Sequence, residues 1–206
     1  LSEAGVDTSH VARLPGPSTR SLVLTDPSGE RTVVNLHRCR EAGPPRRLRS
    51  LPADALYVRS RDLDLARLLA ERLDSTLVGA HVPPVVSGSR PAHVLVASEA
   101  DLSAEEREAL WAALRKAGGD PVRHVVVTRG AAGAEAFAAD GRLHVPAREA
   151  VAVDSTGAGD VFAAGLLHAL VSGAPMEAAL RTAVAWGTAA VEHEGVPPRE
   201  RIRALL

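Results

Sequence analysis

The sequence predicts an α/β protein in three layers, with helices covering both faces of a parallel central sheet, and three observations carry that expectation. From Leu51 onward, short apolar segments alternate with amphipathic ones, the pattern of repeated strand–helix units. Residues 122–128 are a nearly continuous run of valine, as a strand buried on both faces requires. The segment Asp154-Ser155-Thr156-Gly157-Ala158-Gly159-Asp160 then follows a strand-like stretch and runs straight into an apolar helix of small residues.

The elements follow in order. Residues 18–25 and 31–36 are β-rich and flank Asp26-Pro27-Ser28-Gly29-Glu30, strong turn chemistry, so they read as a hairpin with Leu22 and Leu24 on one face and Val23 on the other. Residues 38–49 are rich in Arg and Pro and read as a solvated linker. Residues 55–58 form a short strand. A helix over 63–73 is predicted by Leu65, Leu68, Leu69 and Leu73 at helical spacing. Short strands follow at 76–78 and 93–96. Ser103 is an N-cap with Glu105 and Glu106 in the first turn of a helix that reaches about Ala117 and stops at Gly118-Gly119. After the valine strand, 135–138 and 142–145 form a hairpin about Asp140-Gly141, and helices start near Asp160 and over 176–192.

The bulk properties narrow the function classes. The chain has 206 residues, 46% hydrophobic and 24% charged, enough for an α/β domain with a real core. A formal net charge of −1 and 2% aromatic residues provide neither the field nor the stacking surface for nucleic acid. The basic stretch 38–49 lacks an aromatic or helical frame for it. The apolar runs 161–171 and 183–191 are too short to span a bilayer, so no membrane partner is expected. The single cysteine, Cys39, excludes an intrachain disulfide and a thiolate metal cluster, and a cytoplasmic setting is the default. The eight histidines show no metal-ligand spacing, and neither a P-loop nor a G-x-S-x-G elbow occurs.

The chemistry concentrates at residues 154–160. Gly157 and Gly159 lack a Cβ, so this turn can take positive φ and let the backbone approach a ligand. The helix that follows leaves its first N–H groups without intrahelical partners, and its dipole favours negative charge there. The amides of Gly157, Ala158, Gly159 and Asp160 thus form a candidate anion hole for a phosphate, with the Asp160 carboxylate placed to take a proton from an attacking hydroxyl. The same residues would also suit a plain glycine turn whose Asp satisfies backbone donors.

This segment resembles the second signature of the ribokinase family, the PfkB carbohydrate kinases, whose pattern is D-T-x-G-A-G-D before a small-residue helix. Ser155 replaces the first Thr. The resemblance implies a ribokinase-like αβα fold with a small β-lid. The lid hairpin region would be residues 1–40 and the nucleotide-binding core 41–206. It also implies ATP-dependent phosphorylation of a hydroxyl on a small sugar or sugar-like substrate, with Asp160 as catalytic base. The strand-T-x-G-x-x-G segment at Thr128, Gly130 and Gly133 would line the ATP site, at the strand ends where open α/β sheets bind ligands.

Where the family has N-x-x-E, with a part in organising Mg²⁺ through water, this chain has Ser98 and Asp101. Asp101 still offers a carboxylate oxygen, one methylene shorter; alternatively residues 98–101 cap a helix starting near Leu102. Asp154 corresponds to a place that in some members helps hold a monovalent cation, or its side chain caps the turn. Arg59 and Arg61 follow the strand 55–58. There they either bind an anionic sugar by a bidentate contact or point to water, and the latter is the ordinary outcome.

The chain opens on Leu1 within what reads as a helix, and the family's first strand and sugar-contacting residues have no counterpart in it. An N-terminally truncated member is therefore expected, and valines such as Val125 and Val127 would lose cover. A non-catalytic nucleotide- or sugar-binding remnant lacking the N-terminal sugar-binding half is the alternative to an enzyme. The exposed edges of a lid would also permit a homodimer.

Overall fold

Alternation along two strands shows how the layers are built. Leu95, Ala97, Val125 and Val127 pack into one core cluster, while Val94, Val96 and Val126 pack into another. Successive side chains of a strand point to opposite faces, so a strand apolar at every position must be covered on both. The computed structural model describes residues 5–25, 31–39, 43 and 46–205. The chain divides into two units, Leu1–Pro45 and Arg46–Leu206.

The first unit contains the antiparallel pair β1 (Arg20–Thr25) and β2 (Arg31–His37). The turn expected at residues 26–30 lies outside the described residues. Leu22, Val23, Leu24, Val33 and Val34 are all exposed, so among the described residues of this unit neither face of the ribbon has a core.

The second unit holds six strands in the order β3 (Ala55–Val58), β4 (Leu77–Val82), β5 (Val94–Ser98), β6 (His124–Thr128), β7 (Ala134–Ala138) and β8 (Gly141–Val145). The first four run parallel, and β7 and β8 extend the sheet antiparallel as a hairpin. The sheet is thus mixed but mostly parallel. One face is covered by α1 (Leu65–Ala70) and α3 (Leu110–Gly118) through Leu65, Leu68, Leu69, Leu110 and Leu114. The other is covered by α4 (Ala158–Val171) and α5 (Met176–Val191) through Phe162, Leu166, Ala179, Leu180 and Ala183. This is the three-layer αβα arrangement, completed by the short α2 (Ala104–Glu108) and α6 (Arg199–Arg203).

Several expectations shift. The strand expected over 76–78 runs to Val82, because β3 and β5 both pair with Gly79 and Ala80 and β5 alone pairs with His81 and Val82, whatever the weak strand preference of Gly. The helix expected over 63–73 ends at Ala70. Beyond it, the buried Arg72 guanidinium binds Arg49 O, Leu51 O and Thr76 Oγ1, fixing a turn instead. The helix after Ser103 breaks at Ala109 (φ −122°, ψ 40°) into α2 and α3, while its start is a full capping box between Ser103 and Glu106. Val125 and Val127 do not lose cover: both are fully buried, because β6 sits between β5 and β7.

Candidate active site

Four parallel strands end on the same edge of the sheet, and the predicted site residues gather along it. Arg59 follows β3, His81 is near the end of β4, Asp101 closes the 3-10 turn Glu99–Asp101 after β5, and Thr128 ends β6. Asp160, in the first turn of α4, meets this edge through Arg59, whose Nη1 donates to Asp160 Oδ1. An arginine expected to face water is instead paired with the expected base.

The turn before α4 is held at both ends. The amides of Val153 and Asp154 donate to Val191 O at 2.7 and 3.2 Å, tying the turn to the end of α5. Asp154 Oδ1 accepts from the Thr156 amide at 2.8 Å, the side-chain turn open to a short carboxylate. Gly157 then takes φ 77° and ψ −2°, the left-handed conformation that favours glycine. Gly159 has no positive φ, so only one of the two glycines is needed for the backbone path.

Of the four amides expected to form an anion hole, two are already engaged. Ala158 N donates to Ser155 O at 3.3 Å and Asp160 N to Gly157 O at 2.9 Å. The amides of Gly157 and Gly159 have no acceptor among the described residues. A Cβ built on either glycine would meet nothing within 4 Å, so the cradle is open. Two free amides and a helix N-terminus beside open space fit a phosphate group.

The second glycine turn is built differently. Thr128 Oγ1 donates to Ala97 O at 3.4 Å, bridging β6 to β5. Gly130 (φ 53°) starts a 3-10 turn that ends at Gly133 (φ 92°). A Cβ on Gly133 would lie 2.1 Å from Val145 O and 2.6 Å from Ala147 N, so this glycine is required by the backbone after β8. Between them, Arg129 pairs with Glu99 at 3.2 Å and with the buried Glu135 at 3.1 Å, locking the turn to the end of β5 and to β7. Ser98 makes no side-chain cap bond, and the cap of α2 is Ser103; residues 98–101 do not cap a helix at Leu102. Among the described residues, no three carboxylate, histidine or cysteine side chains are grouped to hold a metal.

Two residues not singled out from the sequence share this site. His81 lies within the fields of Arg59, Asp101, Asp160 and Arg61, and burial, with Arg59 and Arg61 adding, holds its imidazole below the ordinary range despite the two carboxylates. That direction favours the neutral ring, with a donor at one nitrogen and an acceptor at the other. Burial pushes the Tyr57 phenol up to about 12, with Arg59 opposing and Asp160 adding to the rise. Neither had a local signal, since each reaches the site through strand register. No helix among the described residues is long and apolar enough to cross a membrane.

A sheet covered on both faces, with an open helix N-terminus and a carboxylate at its strand ends, has the layout of an α/β phosphotransferase. The family described as pfkB family carbohydrate kinase matches residues 85–200. A curated relative, the ATP-dependent ribose-1-phosphate kinase of Halopiger xanaduensis, is 31% identical over 221 residues, covering all of this chain and 74% of the relative. The nucleoside kinase of Burkholderia thailandensis, solved with inosine, superposes with a TM-score of 0.73 at 21% identity over 98% of this chain and 72% of that one. The ribokinase of Arabidopsis thaliana, solved with ribose and ATP, gives 0.69 at 20% identity over 92% and 69%. These two likenesses are of fold. On the first two matches, the chain belongs to the pfkB family of carbohydrate kinases.

Proposed function

We propose that this protein transfers the γ-phosphoryl group of ATP to a hydroxyl of a small sugar-like acceptor bound at the carboxyl ends of β3 to β6, in a cytoplasmic setting. The observation that carries the reading is the placement, within one helical turn, of two amides without acceptors and a carboxylate: Gly157, Gly159 and Asp160. The two amides would hold phosphate oxygens and strengthen their bonds as charge develops on them. Asp160 would accept the acceptor's hydroxyl proton. As that oxygen bonds to phosphorus, the bond from phosphorus to the β,γ-bridging oxygen breaks, and ADP leaves with that electron pair. Such a transfer depends mainly on positioning and charge stabilisation, so a modest base suffices. Neutral His81 is suited to hydrogen-bond an acceptor hydroxyl at the end of β4. Thr128 and Gly130 lie on the strand-end turn we assign to the nucleotide, and Gly133 holds that turn in shape.

Bound Mg²⁺ would supply charge neutralisation on the phosphates. This chain offers it Asp101, so most of its shell would come from phosphate and water. The turn bond of Asp154 Oδ1 serves the backbone, and we assign any monovalent cation to that same carboxylate.

The test is Asp160→Asn, with ADP formation followed over a panel of pentoses, hexoses and nucleosides. The expected result is a loss in kcat of about 10²–10⁴, with ATP affinity held within a few-fold because the amide donors remain. A variant that keeps its kcat would remove Asp160 as the base.

A further inference from the structure

Arg59 stands where the acceptor must come. Any hydroxyl that gives its proton to Asp160 has to reach a carboxylate oxygen, and one of these is taken by Arg59 Nη1. Among the described residues this is Arg59's one partner, so the rest of its guanidinium fork is uncommitted. Its side chain is 50% exposed and that of Asp160 53%, so both are accessible to a ligand.

The backbone beside Arg59 is nevertheless fixed. Arg90, fully buried, donates to Ser60 O at 2.7 Å, to Asp62 O at 3.1 Å and to Ser89 O at 2.8 Å. A buried cation thus anchors the residues just after Arg59, while the Arg59 head group is left to one contact. Arg61, on the same anchored segment, adds a second positive field that reaches His81.

The charges decide what this arrangement favours. A neutral sugar can reach the Asp160 oxygen that Arg59 leaves, but it offers the guanidinium no charge and leaves the Arg59–Asp160 bond in place. An acceptor carrying an oxyanion would be repelled by Asp160 alone, but it can take over the guanidinium, for which a planar bidentate contact to phosphate is well matched. The exchange also frees the Asp160 oxygen. The geometry points to Arg59 as the residue that reads acceptor charge: it binds a phosphate ester on the acceptor and, in leaving Asp160, releases the base. This rests on the kinase reading for the place of the acceptor.

The test separates binding from turnover. The protein and Arg59→Gln are titrated calorimetrically, in the presence of a non-hydrolysable ATP analogue, with ribose 1-phosphate, ribose 5-phosphate and fructose 6-phosphate, and with ribose and fructose. The parent should bind at least one of the phosphates about 10- to 100-fold more tightly than its unphosphorylated sugar, and Arg59→Gln should abolish that preference while ATP affinity is unchanged. No preference in the parent, an equal loss for sugar and sugar phosphate, or a loss confined to ATP would overturn it; the last would assign Arg59 to the transferred phosphoryl group. ADP formation measured with the same ligands keeps the two readings apart. Phosphate-selective binding without ADP from any acceptor would sink the kinase reading and leave Arg59 as the reader of charge. Turnover of neutral sugars without phosphate preference would do the reverse.

Discussion

The turn at Thr128–Gly133 and the turn at Asp154–Asp160 look alike as sequence: each follows an apolar stretch and each carries two glycines. Their glycines answer to different demands. At Gly133 the missing Cβ makes room for the protein's own backbone, at 2.1 Å from Val145 O. At Gly157 it makes room for nothing in the chain, and the space beyond is open, although the φ of 77° still favours glycine. Filled space beside a glycine marks a structural requirement; open space beside two amides without acceptors marks a place for a ligand.

Substitutions at the two turns should therefore fail in different ways. Gly133→Ala is expected to have the largest effect, above about 4 kcal/mol of stability, because a rigid backbone has to move and φ is 92°. Soluble yield and thermal melting would show it, and a G133A protein melting within a degree or two of the parent would remove the contrast. Gly157→Val comes next. It should cost about 1–2 kcal/mol for a branched residue in the left-handed region. ATP affinity should fall about tenfold or more as the cradle closes. Melting curves and equilibrium ATP binding measured on the same samples would separate the two effects, and unchanged affinity would place the phosphate elsewhere.

The smallest effect belongs to Asp154. Asp154→Ala loses the side-chain bond to the Thr156 amide, which is worth about 0.5–1.5 kcal/mol. Asp154→Asn keeps an acceptor and should recover most of that. An Asn variant that melts as low as the Ala one would mean that the charge, not the turn, is what the site uses there.

The parts of the site legible in sequence are those written in consecutive residues. Gly157 through Asp160 sit on one turn, and Ser103 stands as N-cap directly before its helix, so spacing alone was enough. Arg59 was legible only as an arginine after a strand, because its partner is 101 residues away in sequence. His81 lies beyond the strand expected over 76–78, since Gly79 and His81 carry weak local preference and only pairing with β5 carries the ladder on to Val82.

By itself, the sequence determined the alternation of strands and helices, the doubly buried valine strand and the glycine turn that starts α4 with Asp160 in its first turn. Each is set by short-range sterics, capping or periodicity. The tertiary structure alone decided which amides of the cradle remain open, why Gly133 must be glycine, and that Arg59, His81 and Asp160 share one edge of the sheet. Those are matters of register and packing between segments far apart in the chain, where the contact that fixes a residue's role lies outside any local window.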